Sequence, residues 1–198
     1  MNERYAKAAL PDGYQECEKI DLVKNRKQML LVNGLSILLM LAVIGLGILI
    51  QPKGAEVIFD FEHNAMAIAL KCLVICLGAI VYIVGHEAVH GVFMWYYSRI
   101  RPRFGFSFSY AYAGSDIYFF KKPYLVIAIA PLAVWTALLC ACLLLVPAGW
   151  FWVVWFIQIA NISGAAGDLY VFFRMLQKPQ NTLVQDTGTA MTVYLPAA

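Results

Sequence analysis

Charged residues are scarce in this sequence of 198 residues, where Asp, Glu, Lys and Arg together make up 14%. Soluble domains carry about a quarter charged residues, so the scarcity argues against a soluble globular protein. A net charge of +3 could indicate binding to nucleic acid. The basic residues stand beside long apolar runs, however, where membrane topology explains them better. We therefore expect no nucleic-acid partner and a lipid bilayer around the chain.

Cysteine is also scarce, with five residues in the chain. Cys72, Cys76, Cys140 and Cys142 lie inside apolar runs, and their spacing fits neither a zinc ribbon nor a thioredoxin-like motif. Ordinary packed or lipid-facing thiols are the expected role. The first apolar run is longer than the core of a signal peptide and lacks a small-residue cleavage site, so no cleaved signal peptide is expected.

Long hydrophobic runs are abundant, since 62% of the residues are hydrophobic and the mean hydropathy is +0.69. Four runs are long enough to cross about 30 Å of hydrocarbon at about 1.5 Å per residue. They cover residues 29–50, 65–97, 124–146 and 150–173. We predict an all-α membrane protein with about four transmembrane helices and a small β-hairpin on the cytoplasmic side.

The basic residues between the runs predict the orientation of the spans. They precede the first run, lie between the second and third, and follow the fourth, whereas residues 51–64 are acidic. We expect a multi-pass protein of the bacterial cytoplasmic membrane with both termini in the cytoplasm. Its parts would be a cytoplasmic segment of residues 1–28, a membrane domain of residues 29–178 and a cytoplasmic tail of residues 179–198.

Aromatic and small residues alternate along much of residues 103–122. A period of two predicts a strand rather than a helix. We predict an interfacial hairpin that turns at residues 113–115 and returns along residues 116–120. The pattern fits a simple membrane anchor and a substrate-binding element equally well. Residues 191–195 resemble one more short strand.

The segment His86-Glu87-Ala88-Val89-His90 indicates chemistry. Histidines four residues apart share one face of a helix, where both imidazoles can reach one metal ion, and the glutamate between them can take a proton from water. Ionisable residues inside an apolar helix are costly and usually functional, which argues against a chance match. The motif predicts zinc on His86 and His90 with Glu87 as the catalytic base. His63 is expected to be an ordinary surface residue.

A catalytic zinc ion needs a third protein ligand and one position for water. Asp168 is the only carboxylate besides Glu87 in the last three runs. On one continuous helix Asn161, Gly164 and Asp168 would share a face, and the glycine would allow a neighbouring helix to approach closely. Counting along both runs places Asp168 and the histidines near the same membrane surface. Asp168 is the candidate third ligand, with a helix cap or an ion pair with Arg174 as alternatives.

These residues give the chain a resemblance to the zincin peptidase family of small, mostly bacterial membrane proteins, related to the site-2 proteases. The resemblance covers nearly the whole chain and is carried by residues 86–91 and 161–168, with support from residues 10–14, 103–106, 130–132 and 193–196. It implies that Asp168 is the third zinc ligand, that Asn161 positions the substrate backbone, and that the hairpin pairs with an unwound substrate. The chain departs from the site-2 motif, because Gly164 replaces a proline and Gly167-Asp168 replaces Asp-Gly.

The sequence therefore predicts a zinc-dependent intramembrane endopeptidase that acts on peptide bonds in or next to transmembrane segments of membrane proteins. A non-proteolytic metal-binding protein is the first alternative, and Glu87 argues against it because it is not a predicted ligand. A haem or quinone protein is the second. Axial haem ligands usually come from facing helices, which a histidine pair on one helix does not match. The partners expected are a membrane-protein or peptide substrate and the bilayer.

Overall fold

The structure, a computed structural model, describes residues 3–22, 24–52, 61–107 and 110–197. It divides into two compact units. The first unit comprises Met1–Val32, His86–Pro131 and Gly167–Ala198, and the second comprises Asn33–Gly85 and Leu132–Ala166. Residues 53–60 of the predicted acidic segment lie outside the described residues, as does the side chain of His63.

Helices make up most of the described chain. They are α1 Arg26–Ile50, α2 Phe61–Ser98, α3 Lys121–Leu145, α4 Phe151–Gly164 and α5 Ala166–Leu176, with a 3-10 turn at Ala148–Trp150. Within the described residues, four stretches are long and apolar enough to cross a membrane: α1, Ala65–Ser98 of α2, α3, and Ala148–Leu176. Each of the four predicted runs falls on one of these stretches.

Large apolar side chains point outward from the helices of the second unit. Leu49 is 81% exposed, Met66 is 83% exposed and Leu144 is 87% exposed. Exposed large apolar side chains on long apolar helices are typical of proteins that face lipid. Together with the lengths of the helices, this exposure suggests a membrane protein.

The fourth span is interrupted between α4 and α5. Ala165 follows the last residue of α4 as its C-cap, with ψ near 8°, and its N–H donates hydrogen bonds to the carbonyls of Asn161 and Ser163. The prediction of one continuous helix through residue 173 is therefore wrong at Ala165. Small residues surround the break and include Gly164, which disfavours a helix interior. The interruption places Asp168 in the first turn of α5, where unbonded N–H groups and the helix dipole favour a carboxylate.

A five-stranded antiparallel sheet in the first unit corrects the all-α prediction. Its strands, in spatial order, are β1 Ala6–Lys7, β5 Tyr118–Phe120, β6 Leu183–Asp186, β7 Met191–Pro196 and β2 Tyr14–Ile20. β7 confirms the predicted strand at residues 191–195. β1, β5 and β6 have two, three and four residues, which is too short for a clear period of two.

A separate two-stranded sheet replaces the predicted hairpin. β3 Arg103–Ser107 pairs with β4 Tyr110–Gly114, from Arg103 opposite Gly114 to Ser107 opposite Tyr110. The predicted turn at residues 113–115 is therefore wrong, because Ala113 and Gly114 lie within β4, opposite Phe104 and Arg103. Residues 116–120 do not return along β3 either, since β5 joins the larger sheet. One alternating run contains both strands, so its period could not show where it folds.

The core of the first unit packs α2, α3 and α5 against the five-stranded sheet. Its fully buried side chains are Met94, Phe119, Ile127, Met175, Val184 and Val193. Burial of each such side chain contributes about 1.5–3 kcal/mol. This core fixes the end of α2 and the helices α3 and α5 where they pack on the sheet. These three helices carry the candidate site.

Candidate metal centre

The two predicted histidines lie on uninterrupted helical backbone in α2. The rings of His86 and His90 meet edge to face, with centroids 5.1 Å apart. Their side chains are 10% and 12% exposed. The helix therefore presents two imidazoles on one face in a nearly dry environment.

Asp168 reaches both histidines from the first turn of α5. Its Oδ2 lies 3.1 Å from His86 Nε2, and its Oδ1 lies 3.4 Å from His90 Nε2. One ligand atom from each of the three residues lies within 4.8 Å of the others. Among the described residues, these three side chains form the cluster that could hold a metal ion. Ligands at about 2.0–2.2 Å from a tetrahedral zinc ion stand about 3.3–3.6 Å apart. The two measured distances run from different carboxylate oxygens, and one atom from each residue lies within 4.8 Å of the others, so the three side chains are of the right kind and close enough to hold the ion.

A main-chain carbonyl orients the ring of His90. Its Nδ1 lies 2.9 Å from the carbonyl oxygen of Ile127 on α3. A carbonyl only accepts hydrogen bonds, so this contact assigns the proton to Nδ1. Nε2 is then directed at Asp168 and the candidate metal position, an arrangement typical of histidine ligands.

Glu87 lies beside the cluster and contacts the two-stranded sheet. Its Oε2 accepts a hydrogen bond of 2.8 Å from the main-chain N–H of Ala113 on β4. It is not among the three residues whose ligand atoms meet. Sequence reasoning found Glu87 but missed this bond, because the period of two does not show which N–H groups face outward.

The bond to Glu87 shows which way β4 faces. The N–H of Ala113 points to α2 and hence away from β3, its partner strand. Backbone groups of a strand alternate in direction, so those of Ala111 face the same outer edge. Among the described strands, β4 pairs with β3 alone. At Ala111 this outer edge therefore has no partner strand among the described residues, whereas Ala113 is buried, with Glu87 on its N–H and Gly188 close to its carbonyl.

The turn after β6 holds the end of β4. Ser115 N–H donates to the carbonyl of Asp186 at 2.7 Å. Gly114 lies so close to the turn that a β-carbon there would be 2.8 Å from the nitrogen of Gly188, which adopts φ +84°. Substitution of either glycine would therefore force the strand and the turn apart.

Asp186 links this turn to α3. Its Oδ1 accepts from Gly188 N–H at 2.9 Å and its Oδ2 accepts from the Tyr124 hydroxyl at 2.6 Å. Burial raises the pKa of Asp186 above its ordinary value, although both hydrogen bonds oppose the shift. Sequence reasoning missed both side chains, because 62 positions separate them and neither belongs to a motif.

The remaining candidates do not join the cluster. Arg174 donates to Glu18 at 3.0 Å. The alternative role of Asp168 as the ion-pair partner of Arg174 is therefore not seen among the described residues. Asn161, in the second unit, is fully buried and its Nδ2 donates to Thr136 Oγ1 at 2.9 Å. Its part in substrate positioning stays a prediction. The five cysteines are free.

The residues of the site lie within a match between this chain and the sequence model of a protein family. The model of the family described as "Putative zincin peptidase" matches residues 79–183, which is more than half of the chain and includes His86, Glu87, His90 and Asp168. No curated protein and no solved structure matches the chain.

Proposed function

Because the chain belongs to this zincin peptidase family, we propose that it is a zinc-dependent intramembrane endopeptidase that hydrolyses peptide bonds in or next to transmembrane segments of membrane proteins. The observation that carries the proposal is the closeness of His86, His90 and Asp168, whose carboxylate oxygens lie 3.1 and 3.4 Å from the two imidazole Nε2 atoms. Two nitrogens and one oxygen are a donor set that zinc prefers, and three protein ligands leave a fourth position open.

His86, His90 and Asp168 would hold the ion. When bound there, zinc supplies a Lewis acid that polarises a carbonyl and lowers the pKa of water. The Ile127 carbonyl holds the ring of His90, and the first turn of α5 carries Asp168. The chain therefore orients at least two of the three ligands through its own backbone.

Glu87 is the proposed general base and, later, the proton donor to the leaving amine. Ala113 N–H fixes its Oε2, which leaves Oε1 as the oxygen that takes the proton from water. A base must stand within hydrogen-bond reach of the proton that it removes. The hydrogen bond from β4 restricts the carboxylate to positions beside the motif helix.

The outer edge of β4, which has no partner strand at Ala111 among the described residues, supports a role in holding substrate. An extended peptide can add to such an edge through main-chain hydrogen bonds, which do not depend on its sequence. The backbone groups of Ala111 would offer these bonds next to the residue that positions Glu87. An unwound transmembrane segment exposes the peptide groups that this pairing requires. The role of Asn161 in positioning the substrate backbone belongs to the same proposal.

Cleavage by the purified protein tests the function. We expect about one zinc ion per chain and cleavage of a transmembrane substrate in nanodiscs. Glu87→Gln should keep its zinc and lose about a hundredfold to ten-thousandfold in rate, the usual loss for a missing base. Glu16→Gln, an exposed glutamate on β2, is the matched control and should cleave as wild type does. Cleavage by Glu87→Gln at the wild-type rate would refute the mechanism.

A non-proteolytic metal-binding protein is the second candidate, and one observation favours it. The hydrogen bond from Ala113 gives Glu87 a structural task, holding β4 against α2, that does not require catalysis. That function predicts a zinc-loaded wild type that cleaves no membrane-protein substrate. Under it, Glu87→Gln would loosen β4 without any change in peptide hydrolysis.

A further inference from the structure

A proline inside α3 determines which group can bond the Ile127 carbonyl. Pro131 is fully buried within the helix, at the position whose N–H would ordinarily bond the carbonyl of residue 127, four residues earlier. Proline has no N–H, and its ring displaces that carbonyl from the helix axis. The Ile127 carbonyl thus lacks its helical donor, although Ile127 is 1% exposed.

His90 supplies a donor to that carbonyl. Its Nδ1 lies 2.9 Å from the Ile127 oxygen, and a buried carbonyl without a donor is destabilising. The same hydrogen bond satisfies the backbone of α3 and sets the orientation of the His90 ring. The missing N–H of Pro131 and the ring of His90 therefore both concern one atom, the Ile127 carbonyl oxygen.

We propose that Pro131 is a positioning residue for the metal centre: by removing one N–H from α3, it reserves the Ile127 carbonyl for His90. The link to zinc rests on the proposed function, whereas the hydrogen bond between Ile127 and His90 does not. Partners that orient a histidine ligand in this way typically contribute about 10- to 100-fold in metal affinity.

Two substitutions at residue 131 separate the missing N–H from the shape of the ring. Pro131→Ala restores the N–H, which would draw the Ile127 carbonyl back into the helix and away from His90. An ester at the same position, introduced as lactic acid by nonsense suppression, lacks both the N–H and the ring. Pro123→Ala is the matched control. Pro123 is the third residue of α3, where an N–H has no helical acceptor to compete for.

The readouts are the His90 ring resonance and the zinc dissociation constant. The chain has three histidines, so nitrogen-15 labelling of histidine gives few ring signals to assign. In zinc-free protein, Pro131→Ala should move the His90 Nδ1 proton upfield and speed its exchange with solvent. It should also weaken zinc binding about 10- to 100-fold. The ester and Pro123→Ala should match wild type in both measurements.

Each other outcome is decisive. If Pro131→Ala keeps the wild-type Nδ1 resonance and zinc affinity, the proposal is wrong. If the alanine and ester variants change alike, the ring rather than the missing N–H sets the geometry, and the proposal is again wrong. A wild type that binds no zinc would refute the proposed function, while the zinc-free Nδ1 resonance would still decide the role of Pro131.

Discussion

Asp168 is the residue that joins two histidines of one helix into a three-ligand cluster. Its two carboxylate oxygens face different histidines, Oδ2 toward His86 and Oδ1 toward His90. A helix that carries only the histidine pair offers an ion two ligands, fewer than a catalytic zinc site uses. The metal affinity of the whole site should therefore depend strongly on this one side chain.

Replacement of Asp168 tests that dependence. Asp168→Ala removes a charged ligand, so we expect the zinc content of purified protein to fall well below one ion per chain. Asp116→Ala is the control, because Asp116 is an exposed aspartate that pairs with Arg103 outside the cluster. Its zinc content should equal that of wild type. Full zinc occupancy in Asp168→Ala would remove Asp168 from the ligand set.

The three side chains of the metal cluster and Glu87 were predictable from the sequence, and their main-chain partners were not. The i, i+4 spacing of His86 and His90 and the scarcity of buried carboxylates led to the same three residues that the structure brings together. The Ile127 carbonyl and the Ala113 N–H are main-chain groups, which nearly every residue carries, so the sequence does not single them out. Pro131 is the one sequence signal for such a main-chain partner, since a proline inside an apolar helix leaves the carbonyl four residues earlier without its helical donor.

Among the secondary-structure elements, the long helices were predicted well and the short strands were not. A helix of 25 residues carries its signal in its own composition. The strands β1, β5 and β6 depend on partners distant in sequence, as when Phe119 pairs with Ala6 on one side and Val184 on the other. Non-local pairing of this kind leaves no local period, so the five-stranded sheet could not be inferred.

An ion-pair network holds β2 against the end of α5. Glu18 accepts from Arg174 at 3.0 Å and pairs with Lys178 at 2.6 Å. Burial alone would raise the pKa of Glu18, but the hydrogen bonds and charges of Lys178 and Arg174 outweigh it and lower the pKa below 4.5. A carboxylate with a depressed pKa stabilises the fold above its unfolded pKa, and this contribution is lost as the pH falls through the folded value.

The pH dependence of unfolding tests this network. At neutral pH we expect Glu18→Gln to lower the thermal unfolding midpoint relative to wild type, because it leaves Arg174 and Lys178 without their anion. The difference should shrink as the pH falls below the ordinary value of 4.5 and toward the folded pKa. Glu16→Gln, exposed on the same strand, should show no such trend. A constant difference across the pH range would contradict the assignment.

At the scale of the whole molecule, composition carried most of the information. Few charges and long apolar runs predicted four spans, and the described residues contain four helical stretches long and apolar enough to cross a membrane. The strands β1, β2 and β6 near the ends of the chain were missed, because residues 1–28 are polar and β6 has only four residues, whereas β7 was predicted. Their pairing in one sheet, β2 with β7, brings the two ends of the sequence together in the first unit.

The orientation of these spans in the membrane is the last prediction, and it follows from the distribution of basic residues. Lysine and arginine cluster between the second and third spans, and such clusters stay on the cytoplasmic side. In a variant whose five native cysteines are serines, a membrane-impermeant maleimide added outside intact cells should label Gln51→Cys and spare Arg101→Cys. Both positions are described, and Arg101 is exposed, so protection of Arg101→Cys would reflect the membrane rather than burial. After the cells are opened, the reagent should label both variants. Labelling of Arg101→Cys but not Gln51→Cys in intact cells would reverse the orientation and place His86, Glu87 and His90 near the outer surface.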